Sequence, residues 1–125
     1  MTSGVPSPIL LHICPRADYD DAVASGSGEY RPVSLASEGF VHCSTPVQVL
    51  GPANTFFRGQ SGLVLLVLDA AKITDPIVYE DLYGHGAAFP HVYGPLNLSA
   101  VTDVLPFEPD PDGAFSLPAG LALDT

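Results

Sequence analysis

Short apolar and short polar segments alternate along this chain, and this pattern predicts many short strands and few helices. Ile9–Cys14 is mostly apolar and Pro15 ends the run, which predicts a buried strand. Arg16–Ser25 carries aspartates in its first half among alanines and a valine, the pattern of a short helix that Gly26 ends. Leu63–Asp69 is apolar without alternation, so we predict a central strand that is buried on both faces.

The remaining blocks predict further short elements. We expect a strand over Glu38–Ser44 and then a second helix from Pro46 to Phe57, with Thr45 as its N-cap. A Gly-Pro pair at 51–52 should bend or interrupt that helix. The other predictions are turns or loops at 59–62, 84–88 and Asp110–Gly113, and strands at Ile77–Tyr79, His91–Tyr93, Ala100–Pro106 and Ala114–Leu117.

Together these elements predict a compact α+β domain with mixed, mostly antiparallel sheets and two short helices near the N-terminal half. A chain of 125 residues suffices for one domain with its own hydrophobic core. We assign 9–125 to this single domain and 1–8, rich in Ser, Pro and Gly, to a flexible N-terminal segment. No apolar run is long enough to span a bilayer and no basic start of a signal peptide is seen, so we expect a cytoplasmic protein without a membrane partner.

The charge of the chain bears on its partners. There are 14 acidic residues against 4 Lys and Arg, which gives a formal net charge of −10. A nucleic-acid binder needs a basic footprint, so a long nucleic acid is not an expected partner, whereas a small nucleotide-type ligand is compatible with the sequence. Cys14 and Cys43 are expected to be free, semi-buried thiols, because disulfides are rare in a reducing cytoplasm.

Two segments present a histidine beside a polar or aromatic side chain. His42 ends an apolar run and Ser44 lies two residues on, so the two should share a face of the strand. An imidazole beside a hydroxyl is suited to hold a ligand hydroxyl or phosphate oxygen. His91 and Tyr93 share a face in the same way, and a tyrosine there can stack on a flat heterocycle. The structural alternatives are a histidine bonded to neighbouring backbone and a proline-rich turn packed by aromatics.

Four more residues are candidates for the same site, each with a structural alternative. Arg58 is suited to clamp a phosphate, or it only snorkels at the end of the second helix with its charged head in solvent. Glu80 would stabilise a cationic transition state, or it is one more surface acid. His12 either contacts the ligand or is a hydrogen-bonded core histidine, and Asn54 either binds a ligand or faces solvent.

Three other chemistries find less support in the residues. Phosphoesterases of the two-histidine type need two His-x-Ser/Thr motifs, but Val-Tyr follows His91 and a phenol is too long for the same geometry. A zinc site could draw on His42, His91, Cys14 and Cys43, but no close ligand spacing exists, so no metal is expected. Cys43 is not an expected nucleophile, because strand alternation turns it away from His42.

Several segments resemble an uncharacterised bacterial family known as domain of unknown function 952. The resemblance extends from Leu10 to about Phe115. The segments that carry it are Leu-His-Ile at 11–13, Glu-Gly-Phe-Val-His-Cys-Ser at 38–44, Gln48, Ala-Asn at 53–54, Leu-Val-Leu-Leu-Val-Leu-Asp at 63–69 and Phe-Pro-His-Val-Tyr-Gly-Pro-Leu-Asn at 89–97.

The order of parts also resembles, more distantly, the ADP-ribosyltransferase fold, nearest to its tRNA 2′-phosphotransferase branch. The corresponding parts are a first strand with His12, a second with His42 and Ser44, then Arg58 and a strand that ends at Asp69. The resemblance implies cleavage of the nicotinamide–ribose bond of NAD through an oxocarbenium-like transition state. It also implies a histidine on the ribose, an aromatic ring on nicotinamide and a glutamate that stabilises positive charge.

The residues and the resemblance together predict a protein that binds NAD or an ADP-ribose-type nucleotide and transfers or hydrolyses it at the nicotinamide–ribose bond. The expected catalytic residues are His42, His91 and Glu80. The expected cofactor-binding residues are His12, Ser44, Thr45, Asn54, Arg58 and Tyr93. Two alternatives stay open, a non-catalytic nucleotide-binding or protein-interaction domain on the same fold and a metal-dependent hydrolase.

Overall fold

Antiparallel strand pairing organises most of this chain. The structure is a computed structural model that describes residues 7–82, 84, 86–119 and 121. Within these residues three short α-helices all precede the longest buried strand, and they join the strands in an α+β arrangement. In chain order the elements are β1 Ile9–Pro15, α1 Arg16–Ser25, β2 Glu29–Tyr30, α2 Val33–Glu38, β3 Val41–His42, α3 Leu50–Phe56, β4 Leu63–Asp69, β5 Ile77–Glu80, β6 Phe89–Val92, β7 Leu96–Asn97 and β8 Val101–Phe107.

Strand β4 is the centre of a three-stranded antiparallel sheet with the order β1-β4-β8. Successive side chains of a strand point to opposite faces of its sheet, so a strand covered on both faces needs a continuous apolar run. The side chains of β4 divide accordingly between two hydrophobic clusters, Val64, Leu66 and Leu68 on one side and Leu63, Leu65 and Val67 on the other. The prediction of a central strand buried on both faces is confirmed.

A second three-stranded antiparallel sheet, in the order β3-β6-β5, packs near the first. The two sheets meet where β1 passes the end of β3. At this junction Leu11 and Ser44 exchange both main-chain hydrogen bonds, with N···O distances of 2.7 and 2.9 Å. The junction fixes the end of β3 against β1, and it thereby brings the histidine of each strand to the same region. A further two-stranded sheet pairs β2 with β7.

Helix α1 matches its prediction at both ends. Pro15 precedes it in an extended conformation, and Gly26 follows it with a φ of 73°, a left-handed conformation that glycine adopts without steric cost. The Gly26 amide donates to the carbonyl of Val23 and so closes the last turn. Tyr19 and Ala22 pack against one core cluster from the partly buried side of the helix.

The strand predicted over Glu38–Ser44 is wrong in its first part. Helix α2 occupies Val33–Glu38, and only Val41 and His42 form the regular strand β3. Gly39 separates the two elements with a φ of 88°. The helix was missed because none of its residues is buried, so its sequence carries no apolar stripe. The prediction of two helices falls short by this one element.

The second predicted helix begins later than expected. Helix α3 starts at Leu50, residues 46–49 form turns, and Thr45 is not its N-cap. Pro52 therefore falls in the first turn, where amide groups have no partner inside the helix, and it does not interrupt the helix. A proline inside a helix usually breaks it, but Pro52 belongs to the first turn of α3.

The segment Ala114–Leu117 does not form the predicted strand. Phe115 is nevertheless buried, and its ring stacks on Phe107 of β8 with a centroid distance of 4.6 Å. The turn at Asp110–Gly113 is confirmed by a 2.8 Å hydrogen bond from the Gly113 amide to the Asp110 carbonyl. The C-terminal segment thus packs on the first sheet through side chains, Phe115 and Leu117 among them, instead of strand pairing.

Three further predictions concern termini, thiols and membranes. Of the predicted flexible segment 1–8, residues 1–6 lie outside the described residues, and Ser7 is buried with its amide bonded to the Tyr79 hydroxyl. Cys14 and Cys43 are both free and buried. Among the described residues no helix has the length and apolar character needed to cross a membrane.

Candidate functional site

A large cavity lies between the two three-stranded sheets, beside their junction. Its volume is about 990 Å³, which is at the upper end of the range for small-molecule sites. The walls come from β1, the end of β3, α2, α3 and the facing ends of β5 and β6. Most of the lining is apolar, and the polar side chains that line it where β1, β3 and β6 meet are His12, His42, Ser44 and His91.

His42 and His91 are direct neighbours in this wall. They are register partners in the antiparallel pair β3–β6, and their rings meet edge to face with a centroid distance of 5.3 Å. Phe40 stacks on the His91 ring at 4.1 Å and meets the His42 ring edgewise at 4.9 Å. His91 is buried, whereas His42 is partly exposed, so the two imidazoles occupy different environments. The structure therefore brings together the two histidines that the sequence singled out.

Each of these histidines is bonded to a carboxylate. Nε2 of His42 lies 2.7 Å from Oε1 of Glu38, the last residue of α2. Nδ1 of His91 lies 2.8 Å from Oε2 of Glu80 at the end of β5. A carboxylate only accepts hydrogen bonds, so the imidazole nitrogen is the donor in both pairs. These bonds fix the orientation of both rings.

Glu80 is also the acceptor for the Tyr93 hydroxyl, through the same oxygen that His91 uses. The bond from Tyr93, followed by the bond from His91, lowers the pKa of the Glu80 carboxyl below its ordinary value. The same bond raises the pKa of Tyr93, because ionisation of the phenol would place two negative groups in contact. Glu80 therefore carries a negative charge at neutral pH. Tyr93 does not line the cavity, and its hydroxyl is linked to the cavity wall through this carboxylate.

His12 connects β1 to β3 and also lines the cavity. Its Nδ1 lies 2.6 Å from the carbonyl oxygen of His42, so Nδ1 carries the proton and donates. The residue is 6% exposed, and burial lowers its pKa to about 4. The ring is therefore neutral at pH 7, with Nε2 as its remaining acceptor. His12 is a core histidine and a cavity residue at once.

Ser44 and Cys43 border the same region. The Ser44 main chain is used in the junction with Leu11, and none of the described residues hydrogen-bonds to its hydroxyl. Burial raises the pKa of the Cys43 thiol to about 12, so this thiol stays protonated at neutral pH. Ser44 is thus available for a ligand hydrogen bond, and Cys43 is not an activated nucleophile.

Four of the residues expected to bind ligand do not line the cavity: Thr45, Asn54, Arg58 and Tyr93. The Asn54 amide is bonded to the main chain of Phe115, accepting from its nitrogen at 2.7 Å. Arg58 is exposed and donates to the Asp112 carbonyl at 3.4 Å. The buried hydroxyl of Thr45 has no hydrogen-bond partner among the described residues.

Sequence reasoning missed the apolar mouth of the cavity. Val33 of α2 is 85% exposed and Phe56 of α3 is 73% exposed, and both border the opening. Pro32 and Phe89 also line it. Val33 lies in the helix that the sequence did not predict. The Phe-Phe pair at 56–57 was a usable signal, since two adjacent helical residues cannot both face the core and only Phe57 packs against it.

The charges around the cavity have one sign. Asp18, Glu80 and Asp81 line it, and none of the four Lys and Arg residues, all of them within the described part of the chain, does so. The cavity therefore carries a negative potential that favours neutral or cationic ligands. Across the residues that the structure describes, no group of three or more His, Cys, Asp or Glu side chains could hold a metal ion.

The fold and the site define a small α+β protein with a ligand-sized cavity between two antiparallel sheets and a histidine–carboxylate group in its wall. The family model described as "Protein of unknown function (DUF952)" matches residues 13–104, which is well over half of the chain. The chain belongs to this family. None of the curated proteins matches it.

Solved structures of protein CC0527 from Caulobacter crescentus are similar to this chain at 35% sequence identity. The crystal structure has a TM-score of 0.77 and covers 86% of this chain and 93% of that one. The solution NMR structure has a TM-score of 0.78 and covers 94% of this chain and all of that one. Neither the family match nor these structures supports the resemblance to ADP-ribosyltransferases, which stays a prediction.

Proposed function

We propose that the cavity binds the nicotinamide–ribose part of NAD, or of a related nucleotide, and that the protein cleaves the bond between the ring and the sugar. The observation that supports this most is the gathering of His12, Ser44, His91 and Glu80 on one cavity of about 990 Å³ with mainly apolar walls. A planar ring is held by apolar walls, whereas sugar hydroxyls need neutral hydrogen-bonding partners.

The ribose has suitable partners beside the junction. His12 is neutral because it is buried. Its Nδ1 donates to the His42 carbonyl, so Nε2 remains as an acceptor. The Ser44 hydroxyl can both donate and accept. The two residues are held by paired main chains, with Leu11, the neighbour of His12, bonded directly to Ser44. Each of the two residues can therefore meet a sugar hydroxyl from a main-chain position that strand pairing fixes.

Positive charge develops on the sugar as the glycosidic bond breaks, and Glu80 is suited to stabilise that charge. The ring of an N-ribosyl pyridinium is cationic, and the charge moves to the sugar as the bond breaks. In the hydrolytic form of the reaction the C1′–N bond breaks, its electron pair returns to the ring nitrogen, and water adds to C1′ while one proton leaves to solvent. Glu80 lines the cavity and is ionised, so its charge acts where positive charge develops. His91 and His42 form the adjoining wall.

Substitution of Glu80 tests the reaction. Wild-type protein incubated with NAD or nicotinamide riboside should release free nicotinamide, measured by chromatography. Glu80→Gln should lower this rate by about 100-fold, because one preorganised charge of this kind is worth roughly that factor. Glu29→Gln makes the same chemical change outside the cavity and should keep the wild-type rate.

The outcomes separate catalysis from binding. Saturable binding without release of nicotinamide would reject the catalytic part of the proposal and identify a non-catalytic binding domain. Absence of both binding and release for these compounds would reject the whole proposal. A thermal-shift measurement gives the binding result independently, since a ligand that binds only the folded state raises its melting temperature.

A further inference from the structure

We infer that the cavity takes a phosphate-free, positively charged ring compound of the pyridinium nucleoside class in preference to its phosphorylated counterparts. This inference rests on the proposed function, because it names which member of the proposed ligand class the site accepts. The observations that carry it are the positions of the cations, the main-chain donors and the carboxylates around the cavity.

None of the four basic side chains lines the cavity. Arg31 is paired with Glu29 at 2.7 Å, and Arg58 donates to the main chain of Asp112. Arg16 and Lys72 do not line the cavity either. A phosphate held by a protein is normally met by such side chains or by main-chain amides. No Lys or Arg side chain lines this cavity to meet a phosphate.

The start of α3 does not replace the missing cations. The start of α3 borders the cavity at Gly51 and Pro52. The Gly51 amide already donates to the carbonyl of Gln48 at 3.2 Å, and Pro52 has no N–H. The next amide, that of Ala53, donates inside the helix. This helix start therefore lacks the free donors that bind phosphate at other helix ends.

Carboxylates line the cavity at several positions. Asp18 comes from the first turn of α1, Glu80 from β5, and Asp81 from the residue after it. Asp81 is held in place by a 2.7 Å hydrogen bond from the Gly86 amide. These negative charges attract a pyridinium ring and repel a phosphate. Apolar side chains at the mouth, among them Phe56 and Phe89, add ring faces on which a cation can rest.

Calorimetric titration with three related compounds tests the inference. The compounds are nicotinamide riboside, nicotinamide mononucleotide and NAD, which share the ring and ribose and differ in their phosphates. The riboside should bind about 10-fold or more tightly than either phosphorylated compound, a difference of about 1.4 kcal/mol. The ratio should shrink in about 0.5 M salt, because salt screens the carboxylates.

A matched pair of variants on α1 assigns the preference to the cavity. Asp18→Asn removes one charge from the wall and should narrow the affinity ratio between riboside and mononucleotide. Asp20→Asn removes the same charge from the same helix at a position outside the cavity, and it should leave the ratio unchanged. Equal effects of the two variants would overturn the inference, since the preference would then come from net charge alone.

The remaining outcomes distinguish this inference from the function on which it rests. If the mononucleotide or NAD binds as tightly as the riboside, the preference is wrong while the proposed function stands. If none of the three compounds binds to wild-type protein, the proposed function fails and the preference fails with it.

Discussion

At the scale of single residues, the site depends on how hydrogen bonds fix protonation states. His12 is kept neutral by burial, while its hydrogen bond to the His42 carbonyl raises the pKa by a smaller amount and fixes the proton on Nδ1. Glu80 is kept ionised by two donors, Tyr93 and His91. The sequence shows these residue types but not which residue bonds to which, because each bond joins residues that are more than ten positions apart. Residue chemistry was therefore predictable, whereas the assignment of roles was not.

Removal of the Tyr93 hydroxyl should raise the pKa of Glu80 toward its ordinary value. The bond from Tyr93 is the largest cause of the lowered pKa, and Tyr93→Phe removes only that donor. The pKa can be followed by NMR titration of the side-chain carboxyl carbons. Tyr19→Phe serves as the control, since Tyr19 packs against a core cluster and makes no contact with Glu80 among the described hydrogen bonds. An unchanged pKa in Tyr93→Phe would contradict this account.

At the scale of elements, the predictions agree with the structure where the sequence signal is local and fail where an element depends on long-range contacts. Strand β4 and helix α1 were predicted because a buried apolar run and a glycine stop are local features. Helix α2 and the two-residue strands β2 and β7 were missed, since none of α2 is buried and the pairing of β2 with β7 is a long-range contact. Asn54 and Arg58 bond to the main chain of the C-terminal segment instead of lining the cavity. The sequence does not indicate the path of that segment.

Two glycines at the edges of helices should respond to alanine in opposite directions. Gly39 ends α2 with a φ of 88°, so Gly39→Ala should destabilise the protein by about 1 kcal/mol. Gly51 lies inside α3 without a positive φ, and a Cβ there would meet no atom within 4 Å. Gly51→Ala should therefore stabilise the protein by roughly 0.5–1 kcal/mol. Urea unfolding measures both, and equal signs would show that backbone conformation does not decide these positions.

At the scale of the whole molecule, the burial of His12 couples folding to pH. Its pKa falls from 6.5 in the unfolded chain to about 4 in the fold, so the unfolded state binds more protons between these values. Stability should therefore be lost as the pH falls from about 6.5 to about 4, by roughly 3 kcal/mol from this residue. The lowered pKa of Glu80 acts in the same direction, at more acidic pH.

The variant His12→Asn tests this pH dependence. Its amide nitrogen keeps a donor for the His42 carbonyl, but the side chain does not titrate. Its unfolding free energy, measured in urea across the same pH range, should vary less steeply than that of the wild type. A variant with the wild-type slope would show that other groups cause the pH dependence.

The strand pairing of both three-stranded sheets also determines when the cavity can form. His12 pairs with Leu66 of β4, and His42 pairs with His91 of β6, so the site joins residues separated by about half the chain. Contacts of such sequence separation form slowly in folding because long loops must close first. During synthesis, a chain that ends before β5 lacks the part of the wall that Glu80, Phe89 and His91 supply. The cavity therefore cannot be completed before β6 has been made.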